Sequence, residues 1–417
     1  MNIWIVNHYA VPPSIASGMV RHYYFAKYLQ EKGHNVKIVT SGRIHNMNIN
    51  MLEGSKLYEE KSVDGVNYIF VRSSSYTSNG IKRVLNLAEF PFEIRRTMKI
   101  MLNEERPDII YTSSPDIFVP FFTVKFCRKY KIPVVFEVRD LWPESIVAYS
   151  GFSKRNPIIK ILYKIEKWMY QKADRVIFTM EGGKEYIASH KWAASIDMGK
   201  IFHINNGIDL AEYEDNLSKY RIDDKELEKS DCFKVVYMGS IRKVNHLESL
   251  IEAAEALKAK GNSKIIFLIY GEGTERKELE ERSQKGNLNV YFKGKVERKY
   301  IPYILSKSDL NVINVLPSPL TKYGSSWNKI FEYMASGTPI LSNLPVNYDL
   351  IKKYHMGVSA EFKNGEDYAE CIEKIASLSE EKYSVLCKNA EKASKLFDYK
   401  KHSDDLEEIL VSLCKGQ

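Results

Sequence analysis

Residues 323–340 bring together several side chains that could bind a nucleotide diphosphate. The segment reads YGSSWNKIFEYMASGTPI and contains residues suited to the start of a helix. Ser325 and Ser326 could cap that helix, whose N-terminus would then face an anion. Lys329 would lie in the first turn, where the helix dipole disfavours a cation, and a bound phosphate would relieve this conflict.

The same helix carries a carboxylate that could contact a sugar. Glu332 lies one turn beyond Asn328 and could accept hydrogen bonds from a ribose diol. An ordinary capped helix without a ligand is the alternative interpretation of this segment.

Two glycine turns in the second half of the chain come directly after predicted strands. One begins at Gly239 and presents Arg242 and Lys243, and the other contains Gly271 and Gly273. Cations and backbone amides that converge at a strand end are suited to a diphosphate. The alternatives are two solvated surface cations and ordinary strand-to-helix turns.

Two loops in the first half of the chain are candidates for the rest of the site. Gly18 ends a polar loop before a predicted helix, so backbone amides there could approach a phosphate closely, although a tight turn is the alternative. Arg139 and Asp140 follow a buried strand within the segment EVRDLWPES, residues 137–145. Polar residues at the carboxyl end of a parallel strand are typical of a catalytic loop. A helix cap with a salt bridge from Arg139 is the alternative.

Short apolar runs that alternate with longer amphipathic segments must position these residues. Continuous Val- and Ile-rich runs are typical of parallel strands buried on both faces, and the alternation predicts right-handed strand-helix-strand units. The predicted strands are residues 3–7, 36–40, 66–71, 109–112, 134–138 and 176–179 in the first half, and 233–238, 264–270, 288–293, 310–314 and 339–342 in the second.

A chain of 417 residues is too long for one ordinary hydrophobic core, and its pattern breaks near residue 205. We therefore predict an α/β protein of two doubly wound, Rossmann-like domains. The first covers residues 1–205 and the second residues 206–396. Residues 397–417 form a C-terminal helix whose packing partner cannot be identified from its periodicity.

The net charge of +8 lies in the first half of the chain. Up to Ile208 there are 29 Lys and Arg against 19 Asp and Glu, whereas the remainder has 32 against 34. Residues 154–172 carry six of these cations and an apolar stripe at helical spacing, Ile158, Ile161, Leu162, Ile165, Trp168 and Met169. Such helices can lie on anionic membranes, although a stripe packed on the sheet with solvated lysines is the alternative.

Other features exclude several classes of protein. The five cysteines are dispersed and show no zinc or disulfide spacing. The N-terminus resembles a first strand instead of a signal peptide, and no window approaches the length of a membrane span. The basic charge is not combined with a nucleic-acid reader motif. We expect a cytoplasmic protein with at most peripheral contact, through its first domain, with the inner face of the membrane.

The order and spacing of these motifs resemble the retaining glycosyltransferases of family 4, which have the GT-B fold. The resemblance covers nearly the whole chain and is carried by the NGID motif at residues 206–209, Gly239, the GEG turn at 271–273 and the block at 328–339. The RDLWPE stretch at residues 139–144 is similar to a subgroup that acts in bacterial capsule and O-antigen synthesis.

The resemblance implies two domains that face each other across a cleft, with the acceptor on the first domain and the sugar nucleotide on the second. It implies transfer of a sugar from a nucleotide diphosphate, UDP by preference, to a lipid-linked or glycan acceptor, with no metal or cofactor. The C-terminal helix could return to the first domain. Gly18 would then lie against the diphosphate and Asp140 near the reacting sugar. The diphosphate would be bound by Arg242, Lys243 and Lys329, and the ribose by Glu332.

Two positions depart from the family pattern. Gly324 replaces the first of two glutamates eight residues apart, so Ser325 or Ser326 would have to supply the contact to the donor sugar. Arg139 replaces the histidine that often precedes the catalytic-loop aspartate. Two further functions remain open: a scaffold that binds the sugar nucleotide without catalysis, and a GT-B-fold sugar-nucleotide epimerase.

Overall fold

The computed structural model describes residues 1–16, 18–44, 47–74 and 81–414. The chain divides into two compact units. The first unit consists of Met1–Asn205 together with Tyr399–Gln417, and the second unit is Asn206–Asp398.

A parallel sheet forms the centre of the first unit. Its strand order is β3-β4-β2-β1-β5-β6-β7-β8, and the neighbours pair in parallel except for the antiparallel edge pair β3 and β4. The strands are β1 (Asn2–Val6), β2 (Asn35–Ser41), β3 (Tyr58–Val63), β4 (Val66–Val71), β5 (Ile109–Ser113), β6 (Val134–Val138), β7 (Arg175–Phe178) and β8 (Ile201–His203). Side chains of the central strands are buried, as continuous apolar runs require.

Helices connect these strands in the manner of a doubly wound fold. They are α1 (Arg21–Glu31), α2 (Ile81–Glu104), α3 (Phe118–Tyr130), α4 (Glu144–Ser150), α5 (Pro157–Lys172) and α6 (Gly183–Ser189). Within the described ranges, no helix of either unit combines the length and the apolar character needed to cross a bilayer.

The second unit contains another parallel sheet, with strand order β11-β10-β9-β12-β13-β14. Its strands are β9 (Phe233–Met238), β10 (Ile265–Tyr270), β11 (Val290–Gly294), β12 (Leu310–Ile313), β13 (Ile340–Ser342) and β14 (Gly357–Ser359). The helices of this unit are α7 (Leu210–Lys219), α8 (Glu248–Ala259), α9 (Arg276–Lys285), α10 (Ile301–Ser306), α11 (Asn328–Ala335), α12 (Leu350–Lys353), α13 (Gly365–Ala376) and α14 (Glu380–Ser394).

The last helix, α15 (Tyr399–Cys414), belongs to the first unit. It packs on α1, where the ring of Tyr399 stacks on Tyr24 with centroids 4.8 Å apart. Leu406 and Leu410 are fully buried in the same core. The final segment of the chain therefore completes the hydrophobic core of its first domain.

The predicted α/β class with two parallel sheets is confirmed, and each apolar run identified in the sequence forms a strand. Strands β3, β8 and β14 were not predicted. The β3 sequence YEEKSV is charged and partly exposed because it lies at the sheet edge, and β8 and β14 are only three residues long.

Candidate functional site

In the second unit, the loops that follow β9 and β10 lie directly against each other. A Cβ atom placed on Gly271 would be 1.8 Å from the carbonyl oxygen of Gly239, and one on Gly273 would be 2.0 Å from that of Ile241. Gly239 and Gly271 have φ angles of +149° and +146°. Since a side chain fits neither the space nor these backbone angles, glycine is required where the two strand ends meet.

Lys329 lies in the first turn of α11 beside this glycine contact. Its Nζ donates to the hydroxyl of Tyr237 at 3.1 Å and lies 4.3 Å from the centroid of that ring. A Cβ on Gly239 would be only 3.0 Å from Nζ. Burial lowers the pKa of Lys329 to about 8, although Glu332 opposes the shift. The described residues offer Nζ no carboxylate at ion-pairing distance, so an anionic ligand would be its counter-charge.

The start of α11 differs from the prediction. The residue at the N-cap is Trp327, and its side chain makes no cap hydrogen bond, so the prediction that Ser325 and Ser326 cap the helix was wrong. Asn206 donates its backbone N–H to Ser326 Oγ at 2.9 Å and its Nδ2 to the Ser326 carbonyl at 2.8 Å. Asn206 therefore holds Ser326 just before the start of α11, where the first backbone N–H groups of the helix could meet an anion.

Arg242 and Lys243 lie on the same β9 loop as Gly239, and both side chains are exposed. Neither makes an ion pair or a side-chain hydrogen bond with the part of the chain that the structure describes. The loop itself is ordered, because Asn245 Nδ2 donates to the carbonyl and the hydroxyl oxygens of Ser240 at 2.7 and 2.8 Å. These two cations are thus available on a fixed loop.

Asn328 is exposed at the first position of α11, and Glu332 is partly buried one turn further on. Burial raises the pKa of the Glu332 carboxyl, while the Arg298 guanidinium, with Nε 4.0 Å from Oε1, opposes the shift. Asp209 and Glu212 line a small cavity together with these two residues. The structure therefore places a hydrogen-bond acceptor for a polyol on the same helix as Lys329.

Two tyrosines that the sequence analysis missed hold this site together. The Tyr333 hydroxyl accepts from the backbone N–H of Met238 at 2.9 Å and donates to the Val312 carbonyl at 3.4 Å, which ties α11 to β9 and β12. The Tyr237 hydroxyl donates to the Ser240 carbonyl at 2.8 Å. Both tyrosines stand in apolar stretches, where nothing local distinguishes them from ordinary core aromatics.

In the first unit, Arg139 and Asp140 follow β6 and are fixed by a serine of the neighbouring strand end. Ser114 Oγ accepts from the backbone N–H groups of Arg139 at 2.8 Å and Asp140 at 3.3 Å. The side chain of Asp140 is exposed, yet the surrounding protein desolvates it and raises its pKa, with Arg139 opposing the shift. Arg139 makes no ion pair with the described residues and instead contacts Met19 Sδ at 3.4 Å.

Gly18 is exposed in the loop between β1 and α1. No atom of the described residues lies within 4 Å of the position that a Cβ would take there, so these residues do not require a glycine. The first helical residue is Arg21, and the N-cap residue Val20 makes no side-chain cap hydrogen bond. Open space beside an uncapped helix start is compatible with the approach of a phosphate to Gly18.

Comparison with protein families identifies the class of the chain. Residues 16–212 match the model "Glycosyltransferase Family 4", and residues 218–393 match "Glycosyl transferases group 1". With the fold described above, these matches show that the chain belongs to the glycosyltransferases of the GT-B type. No curated protein sequence gives a match.

Solved structures agree with this class. Sucrose-phosphate synthase from Thermosynechococcus elongatus is similar with a TM-score of 0.75 and 16% identity, over all of both chains. HepE from Anabaena, in complex with UDP, has a TM-score of 0.68 and 15% identity, over 99% of this chain and 100% of that one. WaaG, a glycosyltransferase involved in lipopolysaccharide biosynthesis, has a TM-score of 0.64 and 15% identity, over 98% of this chain and 99% of that one.

Proposed function

We propose that this protein transfers a sugar from a UDP-sugar to a lipid-linked or glycan acceptor in surface polysaccharide synthesis, with retention of the anomeric configuration. The observation that carries the donor assignment is the environment of Lys329. This cation is partly buried and has no carboxylate partner among the described residues. It lies beside the close contact of two glycine loops, at the start of a helix whose N-cap residue makes no side-chain cap. The UDP and UDP-glucose complexes of HepE support the choice of nucleotide. The role of WaaG in lipopolysaccharide biosynthesis supports the pathway.

In this proposal the diphosphate binds at the N-terminus of α11 between Lys329 and the β9 loop. Arg242 and Lys243 supply further positive charge, and Glu332 accepts hydrogen bonds from the ribose. As the bond between the sugar and the phosphate breaks, these donors stabilise the charge that develops on the leaving UDP. Basic groups and helix amides would thus do this without a metal ion.

The catalytic loop of the first unit would act on the transferred sugar. Asp140 is the group we assign to the reacting sugar and acceptor, and Arg139 supports it from the adjacent position. Ser114 restricts both residues through their backbone amides. The contact that a glutamate at position 324 would make is assigned to Ser325 or Ser326.

A thermal-shift panel of UDP, GDP, ADP and their sugar conjugates tests the donor assignment. We expect UDP and one or more UDP-sugars to raise the melting temperature, because ligands that bind only the folded state stabilise it. If only GDP or only ADP raises the melting temperature, that nucleotide replaces UDP in the proposed donor. No shift with any of them would favour the non-catalytic scaffold.

The acceptor assignment rests on the surface of α5. Leu162 and Met169 are buried, whereas Ile158 and Ile161 are 67% and 56% exposed. Lys160 and Lys164 are exposed on the same helix. Apolar side chains that stand in water among lysines favour contact with an anionic membrane, where a lipid-linked acceptor would be found.

Vesicle sedimentation tests the membrane contact. We expect the protein to bind phosphatidylglycerol vesicles and not phosphatidylcholine vesicles, and the double variant Ile158→Asn/Ile161→Asn to bind roughly tenfold more weakly or worse. Val385→Asn is the matched control, because Val385 is an exposed apolar residue of the second unit, 52% accessible. Equal binding by the double variant and the control would contradict the assignment.

A further inference from the structure

A buried ion pair lies close to the loop that carries Asp140 and has no place in the function proposed so far. Arg21, the first residue of α1, donates from Nε to Glu137 Oε1 at 2.8 Å, and the two side chains are only 1% and 0% exposed. Glu137 lies in β6, three residues before Asp140. Because solvent hardly reaches either side chain, the pair would act on a substrate only through other residues.

The charges of this pair are balanced inside the protein. Burial opposes the charge of Arg21, but the carboxylate of Glu137 raises the pKa of the guanidinium above its ordinary value. Burial, together with the charges of Arg139 and Arg21, lowers the pKa of His22 well below its usual range, so this neighbour remains neutral. Arg21 is therefore the cation that balances Glu137.

Stability alone does not explain why two charges occupy this place. Burial of a charge is costly, and apolar side chains of similar volume often stabilise a core equally well or better. Glu137 Oε2 lies 3.7 Å from His22 Nε2, too far for a hydrogen bond, and His22 Nδ1 is buried without one to the described residues. Proteins retain unfavourable groups of this kind most often where function requires a defined geometry.

The guanidinium of Arg21 connects three parts of the first unit. Besides Glu137, it contacts the carbonyl of Ile204, to which Nη2 donates at 2.9 Å, and the carbonyl of Asn205, to which Nη1 donates. Its Cζ lies 4.5 Å from the centroid of the Phe25 ring in α1. Since a planar fork can satisfy these partners in one orientation only, Arg21 fixes the end of β6 relative to α1 and to residues 204–205.

Hydrogen bonds continue from this pair to Asp140. The carbonyl of Glu137 accepts from the backbone N–H of Ser114 at 3.1 Å, and Ser114 Oγ accepts from the backbone N–H of Asp140 at 3.3 Å. Ser113, the preceding residue, has its Oγ 2.6 Å from His22 Nε2 in α1. The ends of β5 and β6 and the start of α1 thus form one network around the loop that carries Asp140.

We propose that Arg21 and Glu137 are positioning residues for the transfer reaction, and that their buried pair fixes the backbone of Asp140 at the end of β6. The inference rests on the transferase function proposed above, in which Asp140 acts on the reacting sugar. The pair contacts neither sugar nor nucleotide, so its loss lowers the rate of turnover and leaves UDP affinity unchanged. A displacement of about 1 Å at a reacting group costs roughly 100-fold in rate, even when the altered residue is remote.

Three variants of the full-length protein test this role. Glu137→Gln keeps the shape of the side chain and removes its charge, whereas Arg21→Lys keeps the charge and loses the planar fork. Arg21→Met/Glu137→Met removes both charges and fills the space with apolar atoms, a replacement that often preserves folding. We measure UDP release from the UDP-sugar selected by the thermal-shift panel, with water as the acceptor, and UDP affinity by calorimetry. Each folded variant should release UDP about 10- to 100-fold more slowly than the original protein, with unchanged UDP affinity.

Glu166→Gln is the matched control. Glu166 is another buried carboxyl of the first unit, 2% exposed, and it accepts from the hydroxyls of Tyr170 at 2.7 Å and Tyr186 at 3.0 Å. It has no part in the network that reaches Asp140. The control should therefore release UDP at the original rate.

An Asp140→Ala background separates positioning from a general loss of stability. If the pair acts through Asp140, Glu137→Gln should not reduce the residual UDP release of Asp140→Ala any further. The positioning role is overturned by original rates in the folded variants, by an equal loss in Glu166→Gln, by a further loss in the Asp140→Ala background, or by failure of all three variants to fold. If the original protein binds no nucleotide, the transferase proposal fails first, and the positioning role fails with it.

Discussion

At the scale of single residues, Lys329 combines two features that oppose a positive charge. It lies in the first turn of α11, where the helix dipole is unfavourable, and burial removes water from around its charge. This desolvation lowers the pKa of Lys329 to about 8. A phosphate group at this position would remove both costs, because it supplies a counter-charge and an acceptor for the helix amides.

Replacing Lys329 by methionine keeps the length of the side chain and removes its charge. We expect UDP affinity to fall about 10- to 100-fold, since a hydrogen bond to a charged group contributes roughly 1.5–3 kcal/mol. The melting temperature of the protein without UDP should not fall, because the substitution removes a poorly solvated charge that does not stabilise the folded state. Isothermal titration calorimetry measures the affinity. Lys277→Met on α9, an exposed lysine of the same unit, is the control and should bind UDP normally.

The pKa of Lys329 also predicts how UDP binding depends on pH. Above about pH 8 the free protein loses the Lys329 proton, and UDP must restore it in order to bind. Affinity should therefore fall by up to about tenfold per pH unit above pH 8. Titrations at pH 7, 8 and 9 measure this, and Lys329→Met should abolish the dependence. If UDP affinity still falls above pH 8 in Lys329→Met, the pH dependence belongs to another group.

The same shift has the opposite consequence for folding. Between about pH 8 and the ordinary lysine value of 10.5, the unfolded chain binds the Lys329 proton more tightly than the folded protein does. This contribution therefore makes the free protein more stable as the pH rises through that window.

At the scale of elements, the proposed donor site depends on how closely two strand ends approach each other. Gly239 and Gly271 stack backbone on backbone at the carboxyl ends of β9 and β10. Tyr333 fastens α11 to the same end of the sheet. The position of Lys329 is thus set by packing between β9, β10 and α11 and not by α11 alone.

Gly271→Ala should separate these strand ends. A Cβ there would be 1.8 Å from a backbone oxygen, and we expect a loss of roughly 3 kcal/mol or more in the free energy of unfolding, with weaker UDP binding. Gly261→Ala is the matched control, because Gly261 has a φ angle of +73° but open space around it. It should lose only about 1 kcal/mol. Denaturant titration compares them, and equal losses would show that backbone strain alone acts at Gly271.

At the scale of the whole molecule, the two units differ in continuity. The second unit is one uninterrupted segment, whereas the first needs α15 from the far end of the chain. Arg21, the first residue of α1, donates to the carbonyls of Ile204, at 2.9 Å, and Asn205, and pairs with Glu137 at 2.8 Å. Tyr399 packs on the same helix. Helix α1 therefore anchors both ends of the first unit where the chain leaves it and returns.

Separate fragments of the chain test whether the second unit folds by itself and whether the first unit needs α15. Residues 206–398 alone should unfold cooperatively and bind UDP. Residues 1–205 alone should lack a cooperative transition, because the face of α1 that contacts α15 would be exposed. A peptide of residues 399–417 should restore the transition, and the same peptide with Leu406→Asp should not. Circular dichroism melting gives the answer, and a normal transition of residues 1–205 without the peptide would contradict the role of α15.

Much of the fold could be predicted from the sequence because parallel strands buried on both faces are continuous apolar runs. The runs at residues 66–71, 134–138 and 233–238 match β4, β6 and β9 residue for residue. Strand β3 was not predicted because an edge strand need not be apolar. The serine caps were wrong because Asn206, 120 positions away in the sequence, binds Ser326, and no local pattern records that contact.

The sequence by itself determined which side chains follow which strands, and so placed Arg139, Asp140, Gly239 and Lys329 at the ends of elements. Only the tertiary structure decided what these groups touch: the Tyr237 ring under Lys329, the backbone of Gly271 against Gly239, and the Ser114 hydroxyl that accepts from the backbone of Asp140. The physical reason is that periodicity reflects burial and neighbours within one turn or strand. The pKa values and close approaches at a site arise from atoms that folding brings in from distant parts of the chain.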